Sequence, residues 1–418
     1  MYVKRVLPNG VRIISERLDN VRTVSVGIWV GNGSRYEPAE LNGISHFIEH
    51  MIFKGTEKRS ARHIAIAIDA LGGQANAFTD KECTCYYMKV LDSRLQTGIA
   101  LLADMFLESR FAQEDIELER GVVLEEIDMY EDSPEDVAID KLFEKCYDGS
   151  ALGRPILGTE ETLAPITTEI MHKYMHEYYR PEDTVIAVSG HFTDEDLDYI
   201  ADLFSVMTGS GRNQLTPAVY KPSLVLRSKE IEQNHLCLSF PGVSALSEDR
   251  FTMNLLCNIL GGGMSSRLFQ EIREKRGLVY TINSFNQALK HAGVFGIYAG
   301  TTPKELEELL PVVADEIKKM MNDKVSETEL KRAKTQIKAS LLMSLESSST
   351  TAEIMARQML LFKRVIPTAE IVERIEAITA DDLQLLAQKI FTSTPTYALL
   401  GCEGGTYPSY DDVKALLK

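Results

Sequence analysis

The chain has 418 residues, too many for one ordinary core and suited to two domains of roughly 200. Hydrophobic residues make up 44% and charged residues 25%, which excludes wholesale disorder, and no apolar run reaches the roughly 18–20 residues of a membrane-spanning helix. A formal net charge of −16 repels phosphate backbones, so no nucleic acid partner is expected, while basic ligands are tolerated.

Met1 to Gly10 show neither an apolar signal core nor an Arg/Ser-rich transit segment. Six cysteines without a disulfide pattern read as reduced thiols; Cys83 and Cys85 alternate in a strand-like run but have no second pair with which to form a thiolate zinc site. A cytoplasmic protein is the expectation.

In chain order, Val24, Val26, Ile28 and Val30 alternate with Ser25, Gly27 and Trp29, the period of a half-buried strand. Helices are predicted over 41–54 and 60–71, then a hairpin of strands 74–79 and 83–91 around Asp80-Lys81-Glu82. Helices follow at 92–108, 113–132, 134–146 and 168–179, a strand at 184–190 and a helix at 194–206. The stretch 208–222 reads as a linker. After it the order starts again, with strands near 224–232 and 235–240, helices 248–260 and 265–275, strands 278–285 and 292–300, several long helices and a strand at 396–401. Pro165-Ile166-Thr167 answers Ala377-Ile378-Thr379, and Glu119-Arg120 answers Lys331-Arg332, both at an offset of 212. The expected fold is α+β, two homologous α/β sandwiches from an internal duplication, each a mixed or antiparallel sheet covered by helices. The domains are placed at 1–210 and 223–418, joined by 211–222.

The helix at 41–54 has two faces. Ile44, Phe47, Ile48, Met51 and Ile52 make the core stripe, while His46, Glu49, His50 and Phe53 lie one residue round. Imidazoles at i and i+4 are about 5–6 Å apart at Cβ and can reach one ion at the roughly 2.0–2.1 Å that zinc prefers. Glu49 stands beside that ion without being a ligand, where it can take a proton from a water whose pKa zinc lowers to about 7. H-x-x-E-H is the inverted zinc-peptidase motif. A third ligand must come from elsewhere. In the acidic helix 113–132, Glu119 and Glu126 share a face two turns apart, with Glu126 as ligand and Glu119 as its supporting carboxylate; Glu125 competes, and spacing alone does not choose.

Gly31–Glu37 (GNGSRYE), Gly43-x-x-His46-x-x-Glu49-His50-Met51-x-Phe53-x-Gly55-Thr56, Asn76-Ala77-Phe78-Thr79, and Glu119-Arg120 with Glu126 together resemble the pitrilysin/insulinase family of zinc peptidases. The short branch with the mitochondrial processing peptidase and its bacterial relatives is the most similar. The resemblance implies one Zn²⁺ per chain on His46, His50 and Glu126, with Glu119 auxiliary. It implies that Asn76, Ala77 and Phe78 lie on an edge strand to which a peptide substrate adds. Arg273 and Tyr280, in the second half, would then hold the peptide and its oxyanion. At the 212 offset His46, Glu49, His50 and Glu126 fall on Asn258, Gly261, Gly262 and Lys338, so the second half carries no zinc site. His172 and His176 also stand at i and i+4, but no glutamate matches Glu49, and they read as surface or packing histidines.

The expected protein is a bacterial zinc endopeptidase. Longer relatives enclose substrate within four such domains; two domains imply a second chain and, because zinc ligands and the Arg/Tyr pair coexist here, a homodimer. The alternatives are the catalytic subunit of a heterodimeric processing peptidase, or a non-catalytic structural relative.

Overall fold

The computed structural model describes residues 2–211, 213, 215–402 and 407–418, so Arg212 and Gln214 of the predicted linker lie outside the described residues. One sheet contains β1 (Val3–Val6), β2 (Arg12–Arg17), β3 (Thr23–Val30), β4 (Gln74–Thr79), β5 (Thr84–Leu91) and β6 (Thr184–Gly190), in the order β1-β2-β6-β3-β5-β4. The other contains β7 (Leu224–Lys229), β8 (Asn234–Pro241), β9 (Thr281–Leu289), β10 (Ala292–Thr301) and β11 (Thr396–Cys402), in the order β7-β11-β8-β10-β9. β2 runs parallel to β6 and β7 parallel to β11; the remaining neighbours are antiparallel. Apart from β1, the two orders are the same. Arg12 and Leu224 open equivalent strands, as do Thr184 and Thr396, each pair 212 residues apart. The architecture is a duplicated α+β fold.

The two compact units are not contiguous in sequence. One comprises Met1–Asp128, Arg154–Thr216 and Leu342–Val365; the other comprises Met129–Gly153, Pro217–Leu341 and Ile366–Lys418. Compared with a single cut at 211–222, each unit contains one helix encoded in the other half. Pro134–Cys146 packs Val137, Ala138, Leu142 and Phe143 onto Cys237, Val294, Tyr298 and Ala398 of the second sheet. Ser348–Phe362 packs Ala352, Met355, Ala356 and Met359 onto Ile14, Trp29, Cys85 and Val185 of the first.

That exchange corrects the expectation for β3. Its valines do face a helix-covered core with Ile44, Phe47, Ile48 and Met51, but the opposite face is buried too. Ser25 Oγ lies 2.9 Å from the hydroxyls of Ser348 and Ser349, and Trp29 packs against Met355 and Met359. A helix more than 300 residues away supplies the missing layer, so small polar residues on that face do not mark it as solvated. All six cysteines are free.

Candidate metal centre

The motif helix spans Ile44–Met51, shorter than the predicted 41–54 because Ala39–Leu41 forms a separate 3-10 turn. Eight residues are too few for a self-sustaining helix. Ile44, Phe47, Ile48 and Met51 are essentially inaccessible, and burying such side chains contributes about 1.5–3 kcal/mol each. Gly43 opens the helix at φ 95°, and a Cβ there would come within 2.6 Å of the Leu157 carbonyl oxygen, so only glycine fits. Buried Glu37 then caps the exposed donors: its carboxylate accepts from the Gly43 N–H at 2.7 Å, the Ser45 N–H at 2.9 Å and Asn42 Nδ2 at 2.8 Å. Burial pushes its pKa up, against the opposing pull of those bonds.

His46, His50 and Glu126 each turn one donor atom to a common point, all within 4.8 Å of one another. Glu126 Oε2 lies 3.6 Å from His46 Nε2 and 3.4 Å from His50 Nε2. Donors bound at roughly 2.0–2.2 Å around a tetrahedral ion stand about 3.3–3.6 Å apart, so two imidazoles and a carboxylate at this spacing fit zinc. His46 is buried, and burial first, then the neighbouring His50, pushes its pKa down to about 3, leaving a neutral imidazole suited to metal ligation. Its Nδ1 finds no hydrogen-bond partner among the described residues. Glu125, the competing carboxylate, is exposed and does not belong to this cluster.

Glu119 is buried and lies behind His50, its Oε1 2.9 Å from Nδ1, while Lys54 Nζ is 2.5 Å from the other oxygen. With Nδ1 donating to this carboxylate, Nε2 presents its lone pair to the cluster. Glu49 is held by Thr79, whose Oγ1 donates to Oε2 at 2.7 Å. Burial raises the Glu49 pKa, while the Thr79 bond and His50 lower it.

Thr79 ends β4, which pairs with β5 and forms the edge of its sheet. Ala77 N–H is bonded at 2.9 Å by the side chain of Asn76, hence points away from β5. In an antiparallel pair alternate residues turn both backbone groups the same way, so Ala75, Ala77 and Thr79 present the open edge. The Phe78 side chain points to the other face of the sheet, 5.5 Å from Trp29 and 6.3 Å from Tyr87 between ring centroids.

Arg273 and Tyr280 belong to the second unit. Arg273 stands in a π-helical turn, Phe269–Glu274, rather than in the predicted regular helix 265–275. Its guanidinium lies 4.7 Å from the Phe269 ring centroid and 5.5 Å from that of Tyr280, which is 75% exposed. His172 rests on the Phe111 ring at 5.0 Å, and His176 Nε2 is 3.1 Å from Ser210 Oγ. Sequence reasoning missed Glu37, Lys54 and the side-chain role of Thr79. The first two lie inside motif segments already singled out, but a capping or charge-balancing role depends on where the chain returns.

A two-histidine, one-glutamate cluster on one of two repeated α+β units defines a metal-site protein of the inverted H-x-x-E-H class. Residues 12–160 match the insulinase family (peptidase family M16), and residues 165–337 match the peptidase M16 inactive domain. The chain is 41% identical over 397 residues to an uncharacterized zinc protease of Bacillus subtilis, covering 95% of this chain and 97% of that protein. It is 36% identical over 407 residues to one from Streptomyces coelicolor, covering 94% and 88%. Its fold matches the crystal structure of a protease from Helicobacter pylori with a TM-score of 0.90 at 22% identity, covering 96% of this chain and 99% of that one. The chain belongs to peptidase family M16.

Proposed function

We propose that this protein is a zinc endopeptidase, with one Zn²⁺ held by His46, His50 and Glu126. The observation that carries the reading is the convergence of those three donors beside Glu49, a half-buried carboxylate that is free of the cluster and fixed by Thr79. Bound zinc supplies a Lewis acid that polarises the scissile carbonyl and acidifies water. Glu49 accepts the proton of the attacking water and delivers it to the leaving amine; its raised pKa brings it closer to the working pH of a general base. Glu119 fixes the tautomer and orientation of His50. The open edge at Ala75, Ala77 and Thr79 binds the peptide as an added strand, which places a backbone carbonyl near the cluster without regard to side-chain sequence.

Arg273 and Tyr280 assist from the second unit: Arg273 binds peptide carbonyls, and the Tyr280 hydroxyl donates to the developing oxyanion. Two copies enclose the substrate, the first unit of one facing the second unit of its partner, and such a chamber admits peptides and unfolded segments. The zinc proteases among its bacterial relatives support this reading.

The test is cleavage of an internally quenched peptide by the pure, zinc-loaded chain, with size-exclusion chromatography alongside. Activity lost to chelator and restored by zinc, and absent from a Glu49→Gln variant that still holds zinc, is the expected result. Undiminished turnover by that variant refutes Glu49 as the base. Activity that appears only when a different protein is added replaces the homodimer with a heterodimer.

A further inference from the structure

Thr79, which holds Glu49, sits between two residues gripped by one side chain from much later in the sequence. The Arg357 guanidinium lies 5.3 Å from the ring centroid of Phe78 and 5.3 Å from that of Trp29. Its Nη1 donates to Asp80 Oδ2 at 2.8 Å, and its Nε donates at 2.8 Å to Glu353, one turn back on its own helix. Asp80 in turn organises the hairpin: Oδ1 accepts from the N–H groups of Glu82 and Cys83, each at 2.7 Å. Phe78, Thr79 and Asp80 are consecutive, and side chains alternate across a strand. One cation on one face of the sheet therefore fixes both flanking residues, while Thr79 reaches the other face and Glu49.

We propose that Arg357 is a positioning residue for peptide cleavage. By holding Phe78 and Asp80 it keeps Thr79 aimed at Glu49, and so keeps the base aligned with the ligand cluster. The inference rests on the peptidase reading above. At the repeat offset of 212 the counterpart is Lys145, which pairs with its neighbour Glu144; the planar, stacking guanidinium stands in the unit that carries the histidines. Lysine has the charge but not the flat face that lies over two rings.

The test compares Arg357→Leu, Arg357→Lys, Thr79→Val and the Arg357→Leu/Thr79→Val double variant. The readouts are kcat and KM on a quenched peptide, bound zinc, melting temperature, and hydrogen exchange of residues 74–83. Arg357→Leu is expected to lower kcat about tenfold with KM within about twofold, a loss of alignment rather than of binding. Zinc content should stay at the wild-type value, amides of 74–83 should exchange faster, and Arg357→Lys should recover part of the loss. Because both residues act through one contact, the double variant should be little slower than either single variant. Wild-type kcat in Arg357→Leu, or single-variant losses that simply multiply in the double, overturns the inference while leaving the peptidase reading intact. A wild-type chain that holds zinc but cleaves no peptide overturns that reading, and the positioning role of Arg357 with it.

Discussion

His50 Nδ1 stands 2.9 Å from Glu119 Oε1, and the other oxygen of that carboxylate stands 2.5 Å from Lys54 Nζ. The ring is thereby fixed from behind, and its remaining nitrogen is left for the cluster with His46 and Glu126. The contacts Lys54–Glu119–His50 link the motif segment to the acidic helix, Gln113–Glu131, that supplies the third donor.

Removing the charge without changing the shape tests that support. In Glu119→Gln, zinc affinity should fall by about 10–100-fold, the range for partners of metal-bound histidine. Competition with a chromogenic chelator measures it. Unchanged affinity would show that the ring needs no anchor.

Adjacent acids on one helix should behave oppositely. Glu126→Ala should abolish stoichiometric zinc in metal analysis of purified protein, because two imidazoles alone make an incomplete site. Exposed Glu125→Ala should keep zinc and stability, with a change inside about 0.5 kcal/mol. A reversal of the two outcomes would move the ligand by one residue.

Glu37 makes its contribution through the helix start. Glu37→Gln places an amide NH2 among the N–H groups of Gly43 and Ser45, leaving buried donors unsatisfied at about 1–3 kcal/mol. Thermal unfolding should therefore shift down by about 2–4 °C per kcal/mol. Loss of zinc should accompany it, since this helix carries both histidines. An unshifted midpoint would mean that core burial alone sets the helix.

The second histidine pair provides the control. His172 and His176 have the same i, i+4 spacing as His46 and His50, but no carboxylate completes a cluster with them among the described residues. The His172→Ala/His176→Ala variant should keep full zinc content, while His46→Ala/His50→Ala should lose it. Equal loss in both variants would show that the first pair is not the site.

The chemistry of the motif helix was legible because it is local. Residues at i and i+4 share a face whatever surrounds them, so His46, Glu49 and His50 could be separated from the core stripe by periodicity alone. The hairpin 74–91 and the 212-residue repeat were legible for a related reason: alternation and element order survive where identity does not.

Tertiary structure decided the rest. Spacing could not choose between Glu125 and Glu126, since either could face inward; the packing of Ile116 and Val123 into the core turns Glu119 and Glu126 toward the histidines. Nor could alternation in β3 show that its Ser25 and Trp29 face is covered by Ser348–Phe362. Periodicity records which side chains lie together on an element. It carries no information about which distant segment covers them, because that depends on the packing of the entire chain, and Arg357 beside Phe78 and Asp80 is a product of that packing.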